Sequence, residues 1–272
     1  MNPDLVQMLE THYQRYQADG GNHQALLKIA EDRSLASEDL FALARADVQR
    51  EMDAESDESG KEIPSSLFMP SWVNPYFFSF PLVILQQRVE EATLQTAFAL
   101  LEEKDPASRI LAAKVLRELP GLDDAPQPHS QEVVERLQIA ARAESNDEVL
   151  HWLLAAIGWQ CLPASTEFLL NYVEHPAWTI RLVVSDNLLM GGSAAEDVTP
   201  SWQRAVMTFL RDEDEDVQWS MLYEIKIRVN MMMAYRQEIE GAVRPNMASF
   251  SKDVREQAEE LLAAFEDPTR EF

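Results

Sequence analysis

Apolar residues along the second two-thirds of the chain recur three and four positions apart, and one short pattern returns five times. It reads DPASRILAAKVL from Asp105 to Leu116, NDEVLHWLLAAI from Asn146 to Ile157, and AWTIRLVVSDNL from Ala177 to Leu188. It returns as DEDVQWSMLYEI from Asp214 to Ile225 and SKDVREQAEELL from Ser251 to Leu262. Aligned on Arg109, Leu150, Arg181, Gln218 and Arg255, the copies stand 41, 31, 37 and 37 residues apart. The positions one before, three after and seven after each anchor are Ser108, Ala112, Leu116; Val149, Leu153, Ile157; Ile180, Val184, Leu188; Val217, Met221, Ile225; and Val254, Ala258, Leu262. Fourteen of these fifteen are apolar. Residues four apart share one face of a helix, so each copy predicts a helix with one buried stripe.

The starts of these helices have a chemical reason. Asp105, Asn146, Asp214 and Ser251 stand just ahead of the stripe, where a side-chain oxygen accepts from the unpaired N–H groups of a first turn. Pro106 fits the first helical position, which needs no N–H. Between the copies there is room for a second helix, over Gln131–Ala143, Ser165–Val173, Ser201–Leu210 and Met231–Val243. Breakers separate them: Pro120-Gly121, Pro126, Pro128, Gly191-Gly192, Pro200 and Pro245. The repeating unit is thus a helical hairpin of about 35–40 residues.

These residues resemble the HEAT-repeat family, whose second helix reads roughly D-x-x-V-R-x-x-A-x-x-A-L. The match is carried by Asp214 and Val217; by Ile180, Arg181 and Leu188; by Val254, Arg255, Ala258 and Leu262; and by Asp105, Arg109, Ala112 and Leu116. Leu150 and Gln218 depart from the arginine position. The resemblance implies an all-α fold, a right-handed α-α superhelix of about five helical hairpins with an N-terminal helical cap.

Three segments follow. Residues 1–50 form the cap, with Leu5, Met8, Leu9 and Tyr13 on one stripe and Leu27, Ile29, Leu40, Leu43 and Ala44 on others. Residues 51–81 hold an acidic linker, Met52 to Glu62, and then a proline- and aromatic-rich insert, Ile63 to Pro81. The insert contains Phe68, Trp72, Tyr76, Phe77, Phe78 and Phe80, and its prolines preclude one long helix. Its rings either pack over the first repeat or form a recognition loop built on Trp72, Tyr76 and Phe77. Residues 82–272 form the repeat array.

Charge narrows the partners. With 47 acidic and 23 basic side chains the formal net charge is -24. Phosphate binding runs on Lys and Arg, so nucleic acid and anionic membranes are disfavoured, and a protein with a basic face is favoured. Cys161 is the single cysteine, which excludes an intrachain disulfide and fits the reducing cytoplasm. On its apolar helix end it reads as a buried structural thiol. The opening MNPDLVQMLE has no basic region ahead of an apolar run, so no signal peptide is expected. The apolar stretch Tyr76 to Leu85 is too short to span a bilayer.

No motif carries chemistry. His12, His23, His129, His151 and His175 have no metal-ligand spacing, and there is no glycine-rich phosphate loop or GxSxG turn. No metal or cofactor is expected. Asp212, Asp214 and Asp216 mimic the start of a calcium loop, but Val217 and Tyr223 stand where glycine and glutamate are needed. These aspartates read as solvating a turn and favouring the next helix. Trp152, Trp178 and Trp219 lie near successive anchors but in no common register. Core packing suits them best, with a partial aromatic groove as the alternative. Lys226, Arg228, Arg236 and Arg244 are the one modest basic cluster and read as a solvated helix face.

The expectation is a non-catalytic protein-binding scaffold or adaptor, able to inhibit a basic partner. Its candidate contacts are Trp72, Tyr76, Phe77, Trp152, Trp178, Asp212, Asp214, Asp216 and Trp219. The alternative implied by the family is a HEAT-like enzyme of the DNA alkyl-base glycosylase or lyase type.

Overall fold

The computed structural model describes residues 3–18, 23–32, 34–55, 79–88, 90–118, 130–190, 199–249 and 251–268, and every regular element among them is helical. The chain divides into two compact units, residues 1–127 and 128–272. The hairpin expected to open the repeat array therefore packs with the N-terminal helices.

In the first unit, α1 (Pro3–Ala18), α2 (His23–Ala30) and α3 (Ser37–Glu55) precede α4 (Phe80–Gln86), α5 (Glu91–Leu101) and α6 (Pro106–Glu118). Helix α3 runs past residue 50, so the first residues of the expected linker are helical. α5 and α6 pair as a hairpin, and α3 and α4 both pack on α6. Phe80 is buried, its ring 5.2 Å from that of Tyr13. The remaining rings of the insert, with Trp72, Tyr76 and Phe77 among them, lie outside the described residues. Arg88 is buried after α4 and ties down the α2–α3 turn, donating to the carbonyls of Ala30 (3.1 Å) and Asp32 (2.9 Å) and to Ser37 Oγ (2.7 Å).

The second unit is a run of hairpins. α7 (Ser130–Ala143) pairs with α8 (Asp147–Trp159). α9 (Pro163–Leu169), prolonged by a 3-10 turn at Leu170–Tyr172, precedes α10 (Trp178–Leu188), and α11 (Pro200–Phe209) precedes α12 (Glu215–Ile227). The last first-helix is broken into α13 (Val229–Met232), a 3-10 turn at Met233–Tyr235, α14 (Arg236–Val243) and a second 3-10 stretch at Arg244–Ala248, before α15 (Lys252–Glu266). The expected single helix over Met231–Val243 is therefore absent. Only Arg228 separates α12 from α13, so the chain turns at once and spends Met231 and Met232 in the core.

The second helices α8, α10, α12 and α15 lie side by side, each against the next. Their stripe is the reason. Across all five copies every stripe position is at most 1% exposed, save the half-buried Leu262, for which Leu261 substitutes. Small polar groups lock the lateral contacts: Ser185 Oγ and Ser220 Oγ are 2.8 Å apart between α10 and α12. The caps fall as expected. Asn146 accepts from the N–H groups of Glu148 and Val149, Asp214 from those of Asp216 and Val217, and Ser251 from that of Val254.

The structure also explains the anchor. Arg109 Nη1 donates to the Glu103 carbonyl at 2.9 Å, Arg181 Nη1 to that of His175 at 2.9 Å, and Arg255 Nη1 to that of Ser249 at 2.6 Å. Gln218 Nε2 makes the same bond to Asp212. Each donor reaches back six residues and satisfies a carbonyl of the turn between the paired helices, where no helical N–H is on hand. Leu150 has no donor, and in its turn Glu144 accepts from the N–H groups of Ser145 and Asn146 instead.

Candidate docking face

The outward side of the second helices follows from the same alignment. If the positions one before, three after and seven after the anchor point inward, those one, five and nine after it point about 180° away. On α12 these are Trp219, Tyr223 and Ile227, which are 40%, 38% and 50% exposed. On α10 they are Leu182 and Asp186, followed by Met190 just past the helix end. On α8 the ninth position is Trp159, also an exposed ring. The solvent side of α12 is thus an apolar stripe of three large side chains one turn apart.

The stripe is ordered. The Trp219 and Tyr223 rings stack with centroids 5.4 Å apart and planes 5° from parallel. Lys226 Nζ lies 5.3 Å from the Tyr223 centroid and donates to Glu260 Oε2 on α15 at 2.6 Å. Glu215 and Asp216, one turn ahead of Trp219, are exposed, as is Asp186 on the α10 side. The rings are therefore framed by carboxylates.

Beneath the stripe sits Glu224. It is buried, paired with Arg228, and near Asp186, which accepts a hydrogen bond from Ser220. Burial pushes the Glu224 carboxyl up to about 7; the Arg228 guanidinium pulls against that shift and the Asp186 charge adds to it.

Several expectations change here. Trp178 and Trp219 are not core residues: they stand 42% and 40% exposed, because neither lies on the stripe. Trp152 is half-buried, its ring 5.6 Å from that of His151. Among the described tryptophans, the one that fills the core is Trp202 on α11. Its helical spacing to Val206 and Phe209 was the available signal. The three aspartates separate by role. Asp214 caps α12 and Asp216 is exposed in its first turn, but Asp212 is buried against Arg181 and is not offered to a partner. Cys161 is exposed rather than buried, on a backbone with φ of 52° just after α8 ends. The basic cluster is not a solvated face: Lys226 is buried and pairs with the exposed Glu260, Arg228 pairs with Glu224, and Arg236 pairs with Glu240 and Glu266. Arg244, the exposed one of the four, lies 3.8 Å from Glu240. Among the described residues no three His, Cys, Asp or Glu side chains gather as metal ligands, and no helix is long and apolar enough to cross a membrane.

No family model and no curated protein matches this chain. Among solved structures, a designed armadillo repeat protein, YIII(Dq)4CqI, is similar with a TM-score of 0.47 and 15% identity. The match covers 88% of this chain and 98% of that one.

Proposed function

We propose that this protein is a non-catalytic scaffold or adaptor that binds a protein partner with a basic face. The observation that carries the reading is an imbalance of engaged charge. The four residues of the basic cluster are drawn into pairs with carboxylates, whereas Glu215 and Asp216 are exposed in the first turn of α12, ahead of its exposed aromatic stripe. With a net charge of -24, the long-range field attracts a basic protein and repels a nucleic acid backbone. Covering that partner's basic face would also block whatever else the face binds, so inhibition is the natural outcome of docking. A lone exposed thiol suits a reducing compartment, and the cytoplasm is the setting we propose.

The test is a pull-down from native host lysate, eluted along a salt gradient, with proteins and nucleic acid both identified. Recovery of a basic protein that leaves at moderate salt supports the scaffold. Retention of nucleic acid at moderate salt would instead support the glycosylase-type enzyme, and recovery of neither would defeat both.

A further inference from the structure

We propose that the outward stripe of α12 is a recognition site for arginine in a basic segment of the partner, with Trp219 as the ring on which the guanidinium lies and Ile227 covered by an aliphatic side chain. This deepens the scaffold reading and rests on it.

The stripe is the feature to be explained. A helix that hides its stripe in the core has no need of three large apolar side chains on the opposite side, and burying them is favourable. Three occupants compete. A second copy of this chain would bring another net charge of -24 against the first, and an anionic lipid surface meets the same repulsion. A basic polypeptide is attracted by that field and is the complementary occupant.

Arginine is singled out by the arrangement of rings and acids. The Tyr223 ring already carries a cation, the Lys226 ammonium at 5.3 Å. The stack therefore works as a cation platform within the molecule itself. Arg142 over Phe168 at 4.9 Å and Arg236 over Phe265 at 5.9 Å repeat the contact elsewhere in the same unit. Trp219, the larger ring, has no such cation among the described contacts, and tryptophan is the strongest cation acceptor of the aromatic side chains. Glu215 and Asp216 precede it by four and three residues, which places them on the same helix face, one turn away. A guanidinium is planar, stacks on a ring and still donates in its own plane to carboxylates, which an ammonium does less well. Asp186 on α10 flanks α12 through its contact with Ser220, while Glu260 on α15 is matched by Lys226.

The probe is a short labelled peptide of arginines and leucines, read by fluorescence anisotropy against the full chain at several salt concentrations. It is compared with the same peptide carrying citrulline, which keeps the shape of arginine and removes its charge. Trp219→Ala is expected to weaken binding about tenfold, Trp219→Phe to recover most of that loss, and Ile139→Ala, at an exposed apolar residue of α7, to leave affinity unchanged. The citrulline peptide should lose affinity for the wild-type chain and be indifferent to Trp219→Ala. Trp219 is exposed, so its truncation spares the core, and circular dichroism confirms the helices. Equal, salt-sensitive affinity of wild type and Trp219→Ala for the arginine peptide would overturn this site and leave the scaffold reading intact. Failure of the peptide to bind the wild type even at low salt would remove both. Light scattering that shows a dimer dissolved by Trp219→Ala would assign the stripe to a second copy instead.

Discussion

Arg181 and Asp212 meet through two parallel hydrogen bonds, Nε to Oδ2 and Nη2 to Oδ1, both 2.8 Å, with each residue only 8% exposed. The pair joins the anchor of one repeat to the turn of the next. Arg181 also holds the carbonyls of His175 and Pro176, so one guanidinium closes its own turn and grips the following one. The bonds to Asp212 raise the guanidinium pKa further and keep it charged.

Breaking that pair has unequal consequences on its two sides. Arg181→Met leaves a buried carboxylate whose remaining bond is from the Asp214 N–H at 2.9 Å, along with two turn carbonyls that have lost their donor. It is expected to cost about 3 kcal/mol or more, because an unpaired buried charge is penalised by desolvation. Asp212→Asn keeps an acceptor and a side chain of the same shape, and Arg181 retains its carbonyls and Glu213 at 3.6 Å. That change should cost about 1–2 kcal/mol. Urea midpoints for both variants, and for the double variant, give the coupling; equal losses for the two single variants would contradict this division of labour.

At Gly158, α8 comes close to Asn187 of α10. A Cβ added there would stand 2.4 Å from Asn187 Cβ, an atom fixed to the backbone that no rotamer change removes. Alanine normally favours a helix over glycine by about 1 kcal/mol, but here the overlap forces the two helices apart. Gly158→Ala is therefore expected to destabilise by about 1–3 kcal/mol. Asn187→Ala should not rescue it, since the clashing atom remains. Gly241 provides the reverse case, with nothing within 4 Å of its notional Cβ, so Gly241→Ala in α14 should stabilise by about 0.5–1 kcal/mol. Thermal melts of the three variants check both signs at once.

The repeat was legible in the sequence because its signal is arithmetic. Inward positions recur at helical spacing, and burial answers to spacing almost without regard to which residue is present, as the polar Ser108 and the apolar Ala112 and Met221 show by being equally buried. The docking stripe was encoded in the same alignment, two residues on from the inward set. Trp219 stands out in the sequence by its size, but Tyr223 and Ile227 carry a signal only as members of a row along α12. The burial of Asp212 is hidden from the sequence for a different reason. Whether a carboxylate in the run Asp212–Asp216 faces solvent depends on an arginine 31 residues earlier, a separation that local pattern cannot cross. Cys161 has apolar neighbours in the sequence, yet it comes just after the helix ends and the chain turns through a positive φ, and its thiol is exposed.

Glu224 gives the stripe an acid-sensitive base. Its folded-state carboxyl titrates at about 7, against 4.5 for the free side chain, because burial disfavours the charged form and Asp186 repels it, while Arg228 offsets part of both. The groups around it are Asp186 and Ser220 on its α10 side and Arg228 one turn on, with the Lys226–Glu260 pair toward α15. A carboxyl whose folded pKa is raised binds its proton more tightly in the native state. Its stabilising contribution is fully present below about 4.5 and is lost as pH rises through 7. Glu224→Gln is neutral at every pH and does not suffer that loss. The pull of Arg228 acts only on the ionised carboxylate and is already contained in the value of about 7, so losing that pair adds no separate pH dependence. Relative to wild type, the variant should therefore gain stability steadily from pH 5 to pH 8, by up to about 3 kcal/mol. Urea midpoints at unit pH steps measure this, and pH profiles that run parallel would mean that Glu224 is already ionised in the folded protein at pH 5.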